Sequence, residues 1–144
     1  MRFIELIDEA AAQMAVLVDQ LGLAARIVGG GYEPHLVAAN TLELAAASGV
    51  PATGEGAIVE TDAENVTRSL AALAAAAVRF GEDTRAPAWT VAGRELALAP
   101  VAAGAVSAVD GSAAKDVGAL VARSTIAALG GAIELEGNTL RVTL

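Results

Sequence analysis

The sequence predicts an α+β fold: a two-layer sandwich of hairpin strands with helices on one side, preceded by a long helix. Three patterns predict it. Apolar residues recur at alternating four- and three-residue steps from Phe3 to Val28 and stop at Gly29-Gly30-Gly31. Two later stretches repeat apolar residues at helical spacing and also end in glycine. Between and after them, short segments alternate apolar and polar residues and are joined by glycine-containing turns, as hairpins are.

In the first stretch Phe3, Ile7, Ala10, Met14, Leu17, Leu21, Ala24 and Val28 form an a/d seam more than three heptads long. Ile4, Ala11, Val18 and Ala25 widen it, while Glu5, Glu9, Gln13 and Asp19 lie elsewhere on the helix. A helix with so wide an apolar face is not stable alone in water. It must pack on a second helix or on another subunit.

After the glycine run, Tyr32-Glu33-Pro34-His35-Leu36 reads as a loop and Leu42–Ala47 as a short helix. Gly49 to Gly56 is rich in Gly and Pro and reads as a loop, followed by a strand at Ala57–Glu60. Thr61-Asp62-Ala63-Glu64 has the form of a capping box opening a helix whose inner face is Val66, Leu70, Leu73, Ala77 and Phe80, with Gly81 as its stop. Ala88–Val91 and Glu95–Leu98 read as strands joined at Ala92-Gly93-Arg94. Ser112 can cap a last helix with Ala119, Ala122, Ile126 and Leu129 facing inward and Gly130-Gly131 ending it. Ile133 and Leu135 alternate with Glu134 and Glu136, Gly137-Asn138 fits a two-residue turn, and Leu140, Val142 and Leu144 alternate with Arg141 and Thr143. Such alternation describes a sheet with one wet face.

Composition narrows the function. There is no cysteine and a single histidine, His35, so disulfides, thiolate nucleophiles and multi-histidine metal sites are excluded. The 55% apolar fraction is mostly Ala, Val and Leu, side chains that suit close helix packing. A net charge of −8, with scattered Arg and one Lys, argues against a nucleic-acid partner. The first twenty residues are acidic, unlike a signal peptide, and the apolar run Ser69–Val78 is too short to cross a bilayer. The expectation is a soluble, cytoplasmic protein with no membrane partner.

Three segments carry a resemblance. Leu21–Ala47 resembles the exit of a kinase dimerisation helix toward its ATPase domain. Thr61–Gly81 resembles an N-box helix, and DVGALVARSTIAALGG (residues 116–131) a last glycine box with its helix. In this order they resemble the Bergerat-type ATPase domain of bacterial two-component histidine kinases and phosphotransferases. The resemblance implies a dimerisation-type helix over residues 1–31 and a degenerate ATPase-like domain over 32–144. Phe3, Ile7, Met14, Leu17 and Leu21 would then form the interface of a homodimer.

The departures from the family govern the functional expectation. Where the N-box carries magnesium- and phosphate-binding Asn side chains, this sequence has Ala72 and Ala76, which offer no oxygen to a hard cation. The family's adenine-binding Asp falls near Pro100, and only Gly104 of that motif matches. Gly118 alone remains of the last glycine box, and tight helix-to-sheet packing explains it better than phosphate binding does. The stretch from Gly104 to Asp116 is short for a nucleotide lid. These five positions, Ala72, Ala76, Pro100, Gly104 and Gly118, are therefore vestigial, with no catalytic residue, metal or cofactor expected.

The first helix also has no phosphoacceptor histidine; His35, with Glu33 nearby, lies in the loop. The expected function is a non-catalytic, pseudokinase-like modulator of phosphorelay signalling that binds a response regulator or a histidine kinase. The alternatives are a divergent ATPase using Asp116, Asn65 and backbone groups, or a histidine phosphotransferase.

Overall fold

The computed structural model describes residues 2–79, 86–101 and 117–144. Helix α1 spans Arg2–Val28. It ends at the glycine run because Gly30 takes φ 75°, a region open to glycine, and lets the chain fold back. The N–H groups of Gly30 and Gly31 then donate to the carbonyls of Ile27 and Arg26, the paired bonds of a Schellman stop.

Strand β1 (Val37–Asn40) leads directly into helix α2 (Thr41–Ala46). Asn40 makes the switch: its backbone stays extended while its side chain accepts the Leu42 N–H at 2.9 Å. Strand β2 (Ala52–Gly56) follows, then β3 (Ile58–Thr61) and helix α3 (Ala63–Arg79). Strands β4 (Ala88–Gly93) and β5 (Glu95–Ala99) form a hairpin. Helix α4 (Val117–Ala128) precedes the second hairpin, β6 (Ala132–Glu136) and β7 (Thr139–Thr143). The Gly137-Asn138 turn is the two-residue connection the sequence predicts, with Glu136 opposite Thr139.

Five strands form one sheet in the order β2-β4-β5-β7-β6, in which β2 and β4 run parallel and the other neighbours antiparallel. β1 and β3 form a separate antiparallel ladder. Thr41 clips the two together: its hydroxyl donates to the Gly93 carbonyl and accepts the Ala57 N–H. The helices cover one face of the larger sheet. Val66, Leu70 and Leu73 of α3, Ala119, Ala122 and Ile126 of α4, and Trp89, Leu96, Leu98, Leu140 and Val142 of the strands share one buried core. On the outer face Arg141 bridges Glu95 at 3.0 Å and Glu136 at 3.3 Å. This is the two-layer α+β arrangement expected from the sequence.

Two local readings change. Residues 52–56 are a strand, not part of a loop, because parallel pairing with β4 supplies the backbone partners that glycine-rich sequence does not advertise. Helix α3 opens on Asp62 and not on a Thr61 capping box. Thr61 is committed to β3 opposite Val37, so Asp62 takes the cap, with its Oδ1 accepting the Asn65 N–H. Glu64, freed from the box, pairs with Arg68 one turn on. Phe80, Gly81, Gly104, Ser112 and Asp116 lie outside the described residues, and of Phe3 and Leu17 only the backbone is described.

Candidate functional site

The positions that the sequence resemblance assigns to a kinase nucleotide site lie, among the described residues, on three elements. Ala76 is fully buried on α3 within the apolar core, and Ala72 is half-buried against the same core. Pro100 follows β5, where the next residue, Val101, donates its N–H to the Asn138 carbonyl and holds the strand exit against the last hairpin. Gly118 is buried in the first turn of α4, the helix that packs along α3. The side chains that α3 brings to this place are methyl groups, which provide neither a metal ligand nor a hydrogen bond. A cleft of about 390 Å³ lies on a different side of α3, between Ser48–Val50 and Ala71, Ala74, Ala75 and Val78. Neither Ala72 nor Ala76 lines it.

A hydrogen-bonded polar cluster lies at the other end of α3. Asp62 is only 6% exposed. It accepts the Tyr32 hydroxyl at 2.7 Å and the Asn65 side-chain amide at 2.9 Å on Oδ2, with the His35 backbone N–H more distant at 3.4 Å. Burial alone would raise the Asp62 carboxyl, but the hydrogen bonds from Tyr32 and Asn65 outweigh it and hold the pKa below its ordinary value. Tyr32 moves the opposite way. Burial and the hydrogen bond to Asp62 push its phenol up to about 12.

Asn65, a candidate ligand under the divergent-ATPase alternative, spends its amide on Asp62 and, at 3.4 Å, on the Tyr32 hydroxyl. His35 is exposed in the loop, and Glu33 beside it is exposed as well. The sequence reading missed this cluster. Its signals were an acid just before an N-terminal helical turn and the chain's only tyrosine just after a glycine run.

The third feature is α1. Every described side chain from Ile4 to Asp19 is exposed, so this part of the helix stands clear of the sheet and its helices. Near its C-terminal end α1 packs on α4, where Gln20, Leu23, Ala24 and Ile27 are partly buried. Leu23 and Ile27 are not seam residues. The domain therefore grips α1 largely by another face and leaves Ile7, Met14 and Leu21 in solvent, 53%, 65% and 51% exposed. Among the described residues no helix is long and apolar enough to cross a membrane.

A mixed sheet covered on one face by α3 and α4, with the last hairpin at its edge, is the arrangement of a histidine-kinase ATPase-like fold. Solved structures bear this out. The Acinetobacter baumannii histidine kinase AdeS superposes with a TM-score of 0.69 at 17% identity, over 98% of this chain and 81% of that one. Full-length ShkA, crystallised in complex with AMPPNP, superposes with a TM-score of 0.62 at 17% identity over 97% of this chain. The match spans 37% of ShkA's length. The sequence matches no protein-family profile and no curated protein sequence.

Proposed function

We propose that this protein is a non-catalytic, histidine-kinase-like component of two-component signalling, acting by protein–protein interaction on a phosphorelay. The reading rests on Ala72 and Ala76, which stand where the sequence resemblance puts the N-box asparagines, in a chain with a histidine-kinase-like fold. A kinase needs oxygen ligands there to hold magnesium and the phosphates, and a methyl group cannot replace them. Pro100 at the adenine position supports the same reading, since its side chain neither donates nor accepts a hydrogen bond. What the fold retains is a shape, and a shape without its chemistry serves by binding.

Residues 1–31 act as a dimerisation-type helix and 32–144 as the degenerate ATPase-like domain. The exposed line of Ile7, Met14 and Leu21 supports pairing with a second copy through α1. The partner is a response regulator or a histidine kinase. A receiver domain or a purified kinase core, titrated with this protein, should bind it. The rate of phosphotransfer from kinase to regulator should change without ATP consumption by this chain. Acid-labile phosphate on the wild type but not on His35→Ala would overturn the reading in favour of a phosphotransferase.

A further inference from the structure

We infer that β6 is an open docking edge, which takes an extended, basic segment of another protein as a further strand of the main sheet.

The backbone supplies the first argument. β6 is the last strand in the order β2-β4-β5-β7-β6, and among the described residues no strand lies beyond it. Glu136 faces Thr139 across the two-residue turn, which makes that pair, and every second pair after it, the hydrogen-bonded ones. Ala132, Glu134 and Glu136 therefore commit their backbone groups to β7. The other side of β7 agrees: the Leu144 N–H donates to the Arg94 carbonyl, so the alternate residues of that chain turn toward β5. Ile133 and Leu135 consequently aim their N–H and C=O groups away from the sheet, where an added strand would bond them.

The side chains determine which strand fits. Glu134 and Glu136 are exposed on the outer face, whereas Ile133 and Leu135 are half-buried on the inner one. Arg141 bridges Glu95 and Glu136 and stands opposite Glu134, so these three acids share its single guanidinium. The edge is left negative. A strand with Lys or Arg at alternate positions balances it, and apolar residues between them cover Ile133 and Leu135. A second copy of β6 does not fit. The register in which both copies use Ile133 and Leu135 sets Glu134 directly against Glu134, a destabilising like-charge pair. The inference holds whether or not the partner belongs to a phosphorelay.

The peptide acetyl-Lys-Val-Lys-Val-Lys-amide, added to the whole chain, tests it through residue-resolved hydrogen exchange. At ten times its Kd the peptide should slow exchange at Ile133 and Leu135 about tenfold. Ala132, Glu134 and Glu136, already bonded to β7, should change little. Glu134→Gln combined with Glu136→Gln should weaken binding about fivefold, because two cross-strand charge pairs are lost. Slowing that is absent, or equal at all five residues, would overturn the strand addition. So would unchanged affinity in the double variant, or equal binding of the peptide with Glu in place of Lys. Protection of Ile133 and Leu135 that rises with protein concentration alone would overturn it in favour of a second copy.

Discussion

The indole of Trp89 donates its Nε1–H to the hydroxyl of Ser48, 3.0 Å away and 41 residues earlier in the chain. That hydroxyl in turn donates to the Ala45 carbonyl at 2.6 Å. Trp89 sits on β4 in the middle of the core and is fully buried, while Ser48 closes the turn after α2. A short chain of donors therefore anchors the small helix to the main sheet.

Ser48→Ala removes the acceptor and leaves a buried indole N–H unpaired. The expected loss is about 1–3 kcal/mol, the cost of an unsatisfied buried donor. Urea unfolding followed by tryptophan fluorescence measures it cleanly, because Trp89 is the only tryptophan. A loss below about 0.5 kcal/mol, the range of an ordinary surface change, would mean the hydroxyl is dispensable.

Gly54 makes a second test of β2. Its φ is 118°, and a Cβ built there would lie 2.0 Å from the Val91 carbonyl oxygen of the neighbouring strand. Both the conformation and the space exclude a side chain. Gly54→Ala should cost about 3 kcal/mol or more, or prevent folding, because backbone must move to admit one methyl group. Near wild-type thermal stability would show that β2 does not lie on β4 in this register.

The same residue shows why some of the fold was hidden in the sequence. Helices and hairpins carry their own periodicity, so Val66, Leu70 and Leu73, or Leu140 and Val142, declare their inner faces directly. ATGEG (residues 52–56) has no periodicity; it is a strand only because Trp89 and Val91 lie in the strand beside it. The chemical inertness of Ala72 and Ala76 needs no structure, since a methyl group offers no ligand wherever it lies. The Tyr32–Asp62 cluster was not legible, because its members are 30 residues apart and meet only when β1 pairs with β3.

Both ends of that cluster predict a pH dependence. Tyr32 has a folded pKa raised from 10.0 to about 12, so the folded state holds its proton more tightly than the unfolded state. Its stabilising contribution is fully present below pH 10 and lost as pH rises toward 12. Asp62 has a depressed folded pKa, so its contribution is present above the ordinary value of 3.8 and lost as pH falls below it. Tyr32 is the only tyrosine, so phenolate absorbance titrates it directly. A midpoint at its ordinary value, or an alkaline stability profile identical in Tyr32→Phe, would contradict the assignment.

Nucleotide should have no effect on stability. Millimolar Mg-ATP is expected to leave the melting temperature unchanged, because Ala72, Ala76 and Pro100 offer it no polar side-chain contact. A ligand present at a hundred times its Kd would add about 2.7 kcal/mol, which a thermal scan resolves easily. A clear upward shift, or calorimetric binding tighter than millimolar, would restore the ATPase reading.

Assembly through α1 is the last expectation. Ile7, Met14 and Leu21 recur every seven residues, so they share one face, and Val18 lies beside them. All four are exposed in the single chain, as is Val28 at the helix end. Covering a leucine-sized side chain yields roughly 1.5–3 kcal/mol, so such a stripe strongly favours association over hydration. The domain cannot cover it by closing further, because α4 already holds α1 through Leu23 and Ile27 on a different face. A second copy of α1 presents the same stripe and satisfies both at once. Met14→Glu combined with Leu21→Glu would put like charges into that contact, and neither residue contributes to the core of its own chain. The double variant should therefore sediment as a monomer while unfolding at the same urea concentration as the dissociated wild type. A wild-type monomer at micromolar concentration, or a variant that remains dimeric, would remove the seam from the assembly.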